Sequence, residues 1–167
     1  MKTYLFIFLL SAFLFPCNAQ ELIISEHLKA KVGKPASMAL SGNLLILKYD
    51  DWTFSFENIQ PETYVANVNL TGIEHLFIDS LFDTTKRDKL PNWLAIISKE
   101  LADSVAPKGS SVNIANLGNS KILSSYNHDG QQGFIFILEE RLIHKIEVLA
   151  KKGRFDNLMD NITQRNL

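Results

Sequence analysis

The sequence predicts an α+β domain built on a mainly antiparallel sheet that is flanked by helices. Strand-like and helix-like segments are grouped along the chain instead of alternating strictly, which is typical of this class. Each predicted helix carries one apolar stripe, so each needs a sheet face to cover. The chain has 167 residues, of which 46% are hydrophobic and 21% charged. That is enough for one folded domain and excludes wholesale disorder.

The first 19 residues have the pattern of a secretory signal peptide. Lys2 precedes an apolar run over residues 4–15, and Pro16 and small residues ending at Ala19 follow it. The run is too short to span a bilayer, which takes about 20 apolar residues. We therefore expect cleavage after Ala19 and a single domain over residues 20–167. Lipidation of Cys17 is the alternative, although Phe15 and Pro16 are unlike the small residues that precede a lipidated cysteine.

Strands are predicted at both ends of the domain. Residues 22–24 form a short candidate strand, and Asn43–Tyr49 and Trp52–Phe56 form a hairpin around Asp50-Asp51, with Trp52, Phe54 and Phe56 on one buried face. Further strands are predicted over residues 111–117, 121–126, 133–138 and 142–149. The last two make the clearest hairpin, because only Glu139-Glu140-Arg141 separates them.

Three helices are predicted from apolar spacing near 3.6 residues. The first has Ile73, Leu76, Phe77 and Leu81 on one face and Thr71 as its cap, and a charged loop over residues 84–89 follows it. The second begins near Pro91 with a stripe of Trp93, Ile96, Ile97 and Leu101. The third follows Gly153, with Phe155, Leu158, Met159 and Ile162 in its stripe.

The order of these segments resembles the Mog1/PsbP-like superfamily, which includes exported bacterial proteins of the DcrB type. The likeness spans residues 38–163 and lies in YDDWTFSF (49–56), PNWLAIISKEL (91–101) and the ending GFIFILEERLIHKIEVLAKKGRFDNLMDNI (133–162). In that ending, paired strands lead into a helix of the form F-x-x-L-M-x-x-I. The resemblance implies a three-layer α/β/α sandwich that acts as a binding or accessory module, usually without catalysis. It supplies no shared active-site residues.

Histidines are the first candidates for metal binding or acid–base chemistry. The four are His27, His75, His128 and His144, and none is spaced from another as a metal motif requires. His75 and Asp79, with Glu74 beside them, lie on one helix face, but a metal site needs three or four ligands. His128 next to Asp129 is interpreted as a turn residue, and His144 as a hydrogen-bonded histidine of the sheet. No G-x-S-x-G motif supplies a serine nucleophile.

The remaining polar and aromatic features have ordinary structural interpretations. Asp50-Asp51 and Glu139-Glu140 fall at turns, where acidic residues are common. Trp52 and Trp93 lie inside apolar patterns, which favours core positions over exposed recognition. The basic clusters Lys86-Arg87-Lys89 and Lys151-Lys152-Arg154 are interpreted as solvated, with an anion or headgroup contact as the alternative. Asn69-Leu70-Thr71 and Asn161-Ile162-Thr163 match the glycan acceptor pattern, which matters only in a eukaryotic secretory route.

Together these features favour an exported, non-catalytic binding or accessory protein of the bacterial envelope. Its partner would be an envelope or secreted protein, one that it could neutralise. A net charge of -1 gives no reason to expect nucleic acid, and we expect no stable membrane insertion after the signal is removed. No residue is assigned to catalysis, cofactor binding or metal binding, and no cofactor is expected. Two alternatives remain: a small hydrolase using His128 or His144 with a carboxylate, and a carrier of a small apolar ligand.

Overall fold

The computed structural model describes residues 20–59, 64–65 and 68–165. The predicted signal peptide, its cleavage site and Cys17 lie outside the described residues. Among the described residues no helix is long and apolar enough to cross a membrane.

Strands form the two ends of the chain, and helices form its middle. The strands are β1 (Glu21–Ile23), β2 (Leu28–Lys31), β3 (Ser37–Ser41), β4 (Leu44–Lys48), β5 (Thr53–Ile59), β6 (Tyr64–Val65), β7 (Val68–Asn69), β8 (Ser111–Leu117), β9 (Ser120–Asn127), β10 (Gln132–Leu138), β11 (Ile143–Leu149) and β12 (Ile162–Gln164). The helices are α1 (Glu74–Phe82), α2 (Thr84–Arg87), α3 (Asn92–Val105) and α4 (Lys152–Asp160).

The central feature is a seven-stranded sheet in the order β3-β4-β5-β11-β10-β9-β8. Every neighbouring pair in it is antiparallel. The helical segment carries the chain from the first hairpin to β8 at the far edge of the sheet. The strands β8, β9, β10 and β11 then pair in sequence order and bring the chain back, so that β11 pairs with β5. The predicted fold class, α+β with a mainly antiparallel sheet and flanking helices, is confirmed.

Alternation along the strands divides the core into two clusters, one on each sheet face. On the first face lie Phe54, Ile135, Ile146 and Val148, all of which are fully buried. On the second lie Phe134, Phe136, Leu138 and Leu123, which pack against α1 and α3. The helical layer therefore lies over β9, β10 and the start of β11, where Ile143 joins this cluster.

The first face is covered by α4 and a small second sheet in the order β1-β2-β12. Leu28 and Ala30 of β2 and Phe155 and Leu158 of α4 supply buried apolar side chains to this layer. Of this sheet the sequence predicted only the short strand over residues 22–24, which overlaps β1; it did not predict β2, β12 or their pairing. Ile162, expected at the end of the last helix, instead lies in β12, because α4 ends at Asp160 and the chain extends to pair with β2.

Both predicted hairpins are confirmed. β4 and β5 pair around Asp50-Asp51, and Trp52, Phe54 and Phe56 are all buried. The side chain of Trp52 stacks on Tyr49 with ring centroids 4.1 Å apart. β10 and β11 pair in register over their whole length.

Two details of the first helical region differ from the prediction. Thr71 does not cap α1: its hydroxyl donates to Asn69 Oδ1, and α1 begins three residues later, with Ile73 at the N-cap. The segment over residues 84–89 is not a plain loop, because its first four residues form α2. Asp83 starts this turn by accepting a hydrogen bond from the Thr85 backbone N–H at 2.9 Å. The Thr85 hydroxyl also donates to the same carboxylate oxygen at 2.8 Å, and these two hydrogen bonds lower the pKa of the Asp83 carboxyl.

The predicted apolar stripe of the second helix is wrong in part. α3 buries Leu94, Ser98 and Ala102, whereas Trp93 and Ile96 are 48% and 61% exposed. The small residues decide the orientation, because they allow α1 to approach closely: Ser80 and Ser98 lie 2.6 Å apart, oxygen to oxygen. A larger side chain at either position would keep the helices apart.

The basic clusters contact neighbouring side chains. Lys152 forms an ion pair with Asp156, and Arg154 lies over the Trp52 ring, 5.6 Å from its centroid. Arg87 is not simply solvated, because its guanidinium donates to the Ser80 carbonyl at 2.9 Å and to Ser98 Oγ at 3.2 Å. α2 places it there by turning the chain back over α1 and α3.

Candidate functional site

Polar side chains from distant parts of the chain meet around Glu139, at one end of the main sheet. Ser25, in the turn between β1 and β2, donates to Glu139 Oε1 at 2.8 Å, and Ser120 at the start of β9 donates to the same oxygen at 3.1 Å. The other oxygen lies 3.3 Å from His144 Nε2. The Glu139 side chain is only 12% exposed, so these bonds replace most of its contact with water.

Hydrogen bonding determines the charge state of Glu139. Burial alone raises its pKa, but the bonds from Ser25, His144 and Ser120 outweigh burial and hold the pKa below its ordinary value. The carboxyl is therefore ionised at neutral pH and can only accept hydrogen bonds. His144 Nε2 is therefore the hydrogen-bond donor in its contact with Glu139.

His144 is a hydrogen-bonded histidine of the sheet, as predicted. The ring is 1% exposed and stacks on Phe56 with centroids 6.0 Å apart. Its second nitrogen, Nδ1, lies 2.6 Å from Asn58 Oδ1. Both ring nitrogens are occupied by side chains of this chain, so neither is presented to a substrate.

A polar cleft of about 480 Å³ opens beside Glu139. It is lined by Ser25, Glu26, His27, Asn119, Ser120, Glu139, Glu140, Arg141 and Leu142. The hydrolase alternative requires a histidine, an acid and a hydroxyl in one pocket. Glu139 and two serines line this cleft, whereas His144 is buried behind Glu139 and does not line it. The hydrogen bonds are also unsuitable for catalysis, because Ser25 and Ser120 both donate to the Glu139 carboxylate and neither donates to a histidine. A histidine base has to accept the proton of the serine that it activates.

A second serine–histidine contact lies on the surface. Ser111 Oγ is 3.1 Å from His128 Nε2 in an exposed setting, beside the edge of the Tyr126 ring. Within the described ranges no carboxylate lies within ion-pair distance of His128, so Asp129 does not orient it. This pair lacks the third group that a catalytic triad uses.

The possible metal ligands on α1 are not brought together. Asp79 forms an ion pair with Lys121 of β9 at 2.5 Å, which links α1 to the sheet. In the part of the chain that the structure describes, no group of three or more His, Cys, Asp or Glu residues could hold a metal ion.

The second candidate site is an open groove on the helical face of the main sheet. Its floor is the part of β4, β5 and β11 that the helices do not cover, where register places three rows across the strands. These rows are Leu44-Glu57-Lys145, Ile46-Ser55-Glu147 and Lys48-Thr53-Leu149. Glu57 and Lys145 form an ion pair at 2.8 Å in the first row.

The wall of the groove is apolar and comes from the helical layer. Phe77, Ile78 and Leu81 of α1 and Leu101 and Val105 of α3 face the floor beside Ile59 and Phe136. Two adjoining depressions, of about 420 and 400 Å³, share Glu57 and Lys145 and together form the groove. Leu44 and Ile46 are half-buried, and Leu149 is 48% exposed.

Sequence reasoning did not find either site. The Glu139 cluster joins residues 114 positions apart, and no local pattern carries that information. The groove exists because the helices leave part of the main sheet uncovered, and the sequence does not show how far the helical layer extends. One signal was present: Leu44 and Ile46 stand on the opposite face of β4 from the core residues Leu45 and Leu47, so β4 is apolar on both faces.

Comparisons with protein-family models, curated proteins and solved structures found no match to this chain. The fold and the two sites are therefore the basis for any functional conclusion.

Proposed function

We propose that this chain is an exported, non-catalytic binding protein of the bacterial envelope that holds a segment of a partner protein in the open groove. The apolar leader over residues 1–19 supports export. Two observations argue against acid–base catalysis in the polar cleft. Both ring nitrogens of His144 contact side chains of this chain, and the serines around Glu139 donate to its carboxylate instead of to a histidine.

The uncovered floor of the groove is the observation that carries this proposal. α1 and α3 cover β9, β10 and the start of β11 but leave the rest of β11 and strands β4 and β5 open on the same face, next to an apolar wall. Exposed apolar surface rimmed by polar groups is typical of interaction sites. The groove thus offers apolar contacts along one side and polar contacts along its floor.

The chemistry of the floor favours a protein segment over a small molecule. Small-ligand pockets usually enclose most of the ligand surface, whereas this groove is open along its length. The floor alternates Leu44, Ile46 and Leu149 with the Glu57–Lys145 ion pair and the hydroxyls of Thr53 and Ser55. An amphipathic segment would match this alternation by laying its apolar side against the wall.

Site-specific photo-crosslinking in envelope extract tests the proposal. A crosslinking residue at Ile46 should capture one partner reproducibly, whereas the same residue at Ile23, which is 50% exposed on β1, should not. Leu149→Lys, at the other end of the floor, should reduce the yield from position 46. Equal capture from positions 46 and 23, or repeated capture of nothing, would count against the proposal.

A second candidate function is a carrier of a small apolar ligand. The specific observation that favours it is the depression of about 400 Å³ between the helices and the sheet, lined largely by apolar side chains. Native mass spectrometry of the purified protein would show a bound small molecule if this candidate is correct. Loss of that molecule in Leu101→Asp, with the fold retained, would place it in the groove.

A further inference from the structure

Strand β8 forms one edge of the main sheet and is exposed on both faces. Its first six residues are all exposed, and Val112 and Ile114 are each 47% exposed. Register places Val112 opposite Ser125 and Ile114 opposite Leu123, so both side chains lie on the helical face. The helices stop one strand short: Asp79 of α1 and the Val105 carbonyl of α3 bond to β9.

β8 also lacks the features that usually protect an edge strand. Natural edges are blunted by charged side chains, prolines, bulges or short length. The seven residues SVNIANL contain no charge and no proline, and they pair with β9 residue for residue. Within the described ranges no strand pairs with its outer side.

The β8–β9 turn shows which backbone groups face outward. Leu117 and Ser120 close a two-residue turn whose first position is Gly118 with φ +62, as a type II′ hairpin requires. The closing pair is hydrogen-bonded in such a hairpin, and bonded pairs then alternate along the strands. The N–H and C=O groups of Val112, Ile114 and Asn116 therefore point away from β9.

We propose that β8 pairs with β8 of a second copy of this chain, antiparallel about a two-fold axis at Ile114. In this register the two strands overlap completely. Ile114 lies opposite itself, Val112 lies opposite Asn116, and the outward groups form about six backbone hydrogen bonds. A two-fold interface brings the same patch of each copy together, and a strand without charge meets its copy without repulsion.

The other edge of the sheet is a poorer candidate for this pairing. β3 has only five residues. The two-residue turn at Gly42-Asn43 fixes its hydrogen-bonding pattern, so that only the backbone N–H and C=O groups of Met38 and Leu40 point away from β4. Lys34 and Pro35 also precede it. Pairing of β3 with β8 would join unlike edges and would extend without closing. This inference does not depend on the proposed function, because β8 lies at the opposite edge from the groove.

Opposite charges at the two-fold axis provide a test. By sedimentation equilibrium, the purified protein should show a reversible monomer–dimer equilibrium. Ile114→Lys and Ile114→Glu should each be monomeric, because like charges would meet at the axis. An equimolar mixture of the two variants should regain the dimer as a heterodimer, and added salt should weaken it.

Two controls establish whether the loss of the dimer arises at the β8 edge. Leu40→Lys, on the β3 edge, should leave the dimer intact. Thermal melts monitored by circular dichroism should show that both Ile114 variants keep the fold, since Ile114 is half-exposed. A wild-type protein that stays monomeric up to millimolar concentration, or a mixture of folded variants that stays monomeric, would overturn the proposal.

Discussion

The ring of Phe155 on α4 lies directly against Gly133 of β10. A Cβ added at Gly133 would stand 2.3 Å from ring atoms Cδ2 and Cε2, a distance that real Cβ atoms essentially never show. Phe155 is also in ring contact with Tyr126, whose hydroxyl donates to the Ala150 carbonyl at 2.8 Å. The absence of a side chain at Gly133 is therefore what allows α4 to dock on the sheet.

We expect Gly133→Ala to destabilise the protein by about 1–3 kcal/mol, the usual range for overpacking a core. Equilibrium unfolding in urea would measure the change. Gly153→Ala is the matched control, because Gly153 lies within α4 and a Cβ there meets nothing within 4 Å. It should stabilise by about 0.5–1 kcal/mol through helix propensity. Equal effects of the two substitutions would show that the Phe155 contact is not limiting.

Local alternation explains why the two hairpins could be predicted. In β4–β5 and β10–β11 each strand is bounded by turn residues, and one face is strongly apolar. β3 could not be predicted because SMALS is short and wholly exposed. β12 could not be predicted because its partner, β2, lies near the other end of the domain sequence. The orientation of α3 depends on contact with α1, which periodicity alone does not specify.

Only part of the Glu139 cluster could be predicted from the sequence. A hydrogen-bonded role for His144 is predictable, because a polar residue inside an apolar strand needs partners. Its actual partners could not be named, since Asn58 and Glu139 are brought to it by strand register and by a turn. Ser25 lies in the turn between β1 and β2, and the sequence did not predict β2 or this turn.

The stability of the protein should depend on the ionisation of Glu139. Its pKa in the folded state lies below the ordinary value of 4.5. Its contribution is therefore fully present above pH 4.5 and is lost as the pH falls through the folded-state pKa. Glu139→Gln should lower the free energy of unfolding by about 1–3 kcal/mol at pH 7, since it removes a charged acceptor from buried donors.

Urea unfolding of both proteins between pH 7 and pH 3 would measure this effect. The difference between wild type and Glu139→Gln should shrink as the pH falls below 4.5. The neighbouring Glu140→Gln is the control: Glu140 is exposed, and the substitution should change stability little. A difference that stays constant across the pH range would contradict the role assigned to the Glu139 charge.

The contact of Arg87 with Ser80 and Ser98 predicts a coupled effect on stability. Arg87 uses two nitrogens on groups of α1 and α3, and both serines are fully buried. Lysine cannot reproduce this planar geometry, so Arg87→Lys should destabilise by about 1–3 kcal/mol. In a double-mutant cycle with Ser98→Ala the two changes should be only partly additive, because both remove the Arg87–Ser98 contact while the bond to the Ser80 carbonyl is lost in Arg87→Lys alone. Fully additive changes would mean that the contact between Arg87 and Ser98 does not stabilise the helices.

Export should be visible in the mass of the protein. Expression of the whole chain in a bacterial host should give a product that begins at Gln20, because Cys17 and Ala19 fit the small positions that signal peptidase reads. Intact-mass measurement of the envelope fraction would identify the terminus. Ala19→Arg should block processing and leave the longer chain. A product that carries lipid on Cys17 would replace this prediction with the lipoprotein alternative.

Truncation of the neighbouring residues Trp93 and Leu94 should change stability by very different amounts. Trp93 is much the larger side chain, but it is 48% exposed, whereas Leu94 is fully buried between α3 and the sheet. Leu94→Ala should destabilise by about 2–5 kcal/mol, because it removes buried surface and leaves a cavity. Trp93→Ala should change the free energy of unfolding by no more than about 0.5 kcal/mol, as is usual for surface positions. Urea unfolding of the two variants would test the orientation of α3. A larger decrease in the free energy of unfolding for Trp93→Ala than for Leu94→Ala would mean that α3 buries the apolar stripe predicted from periodicity.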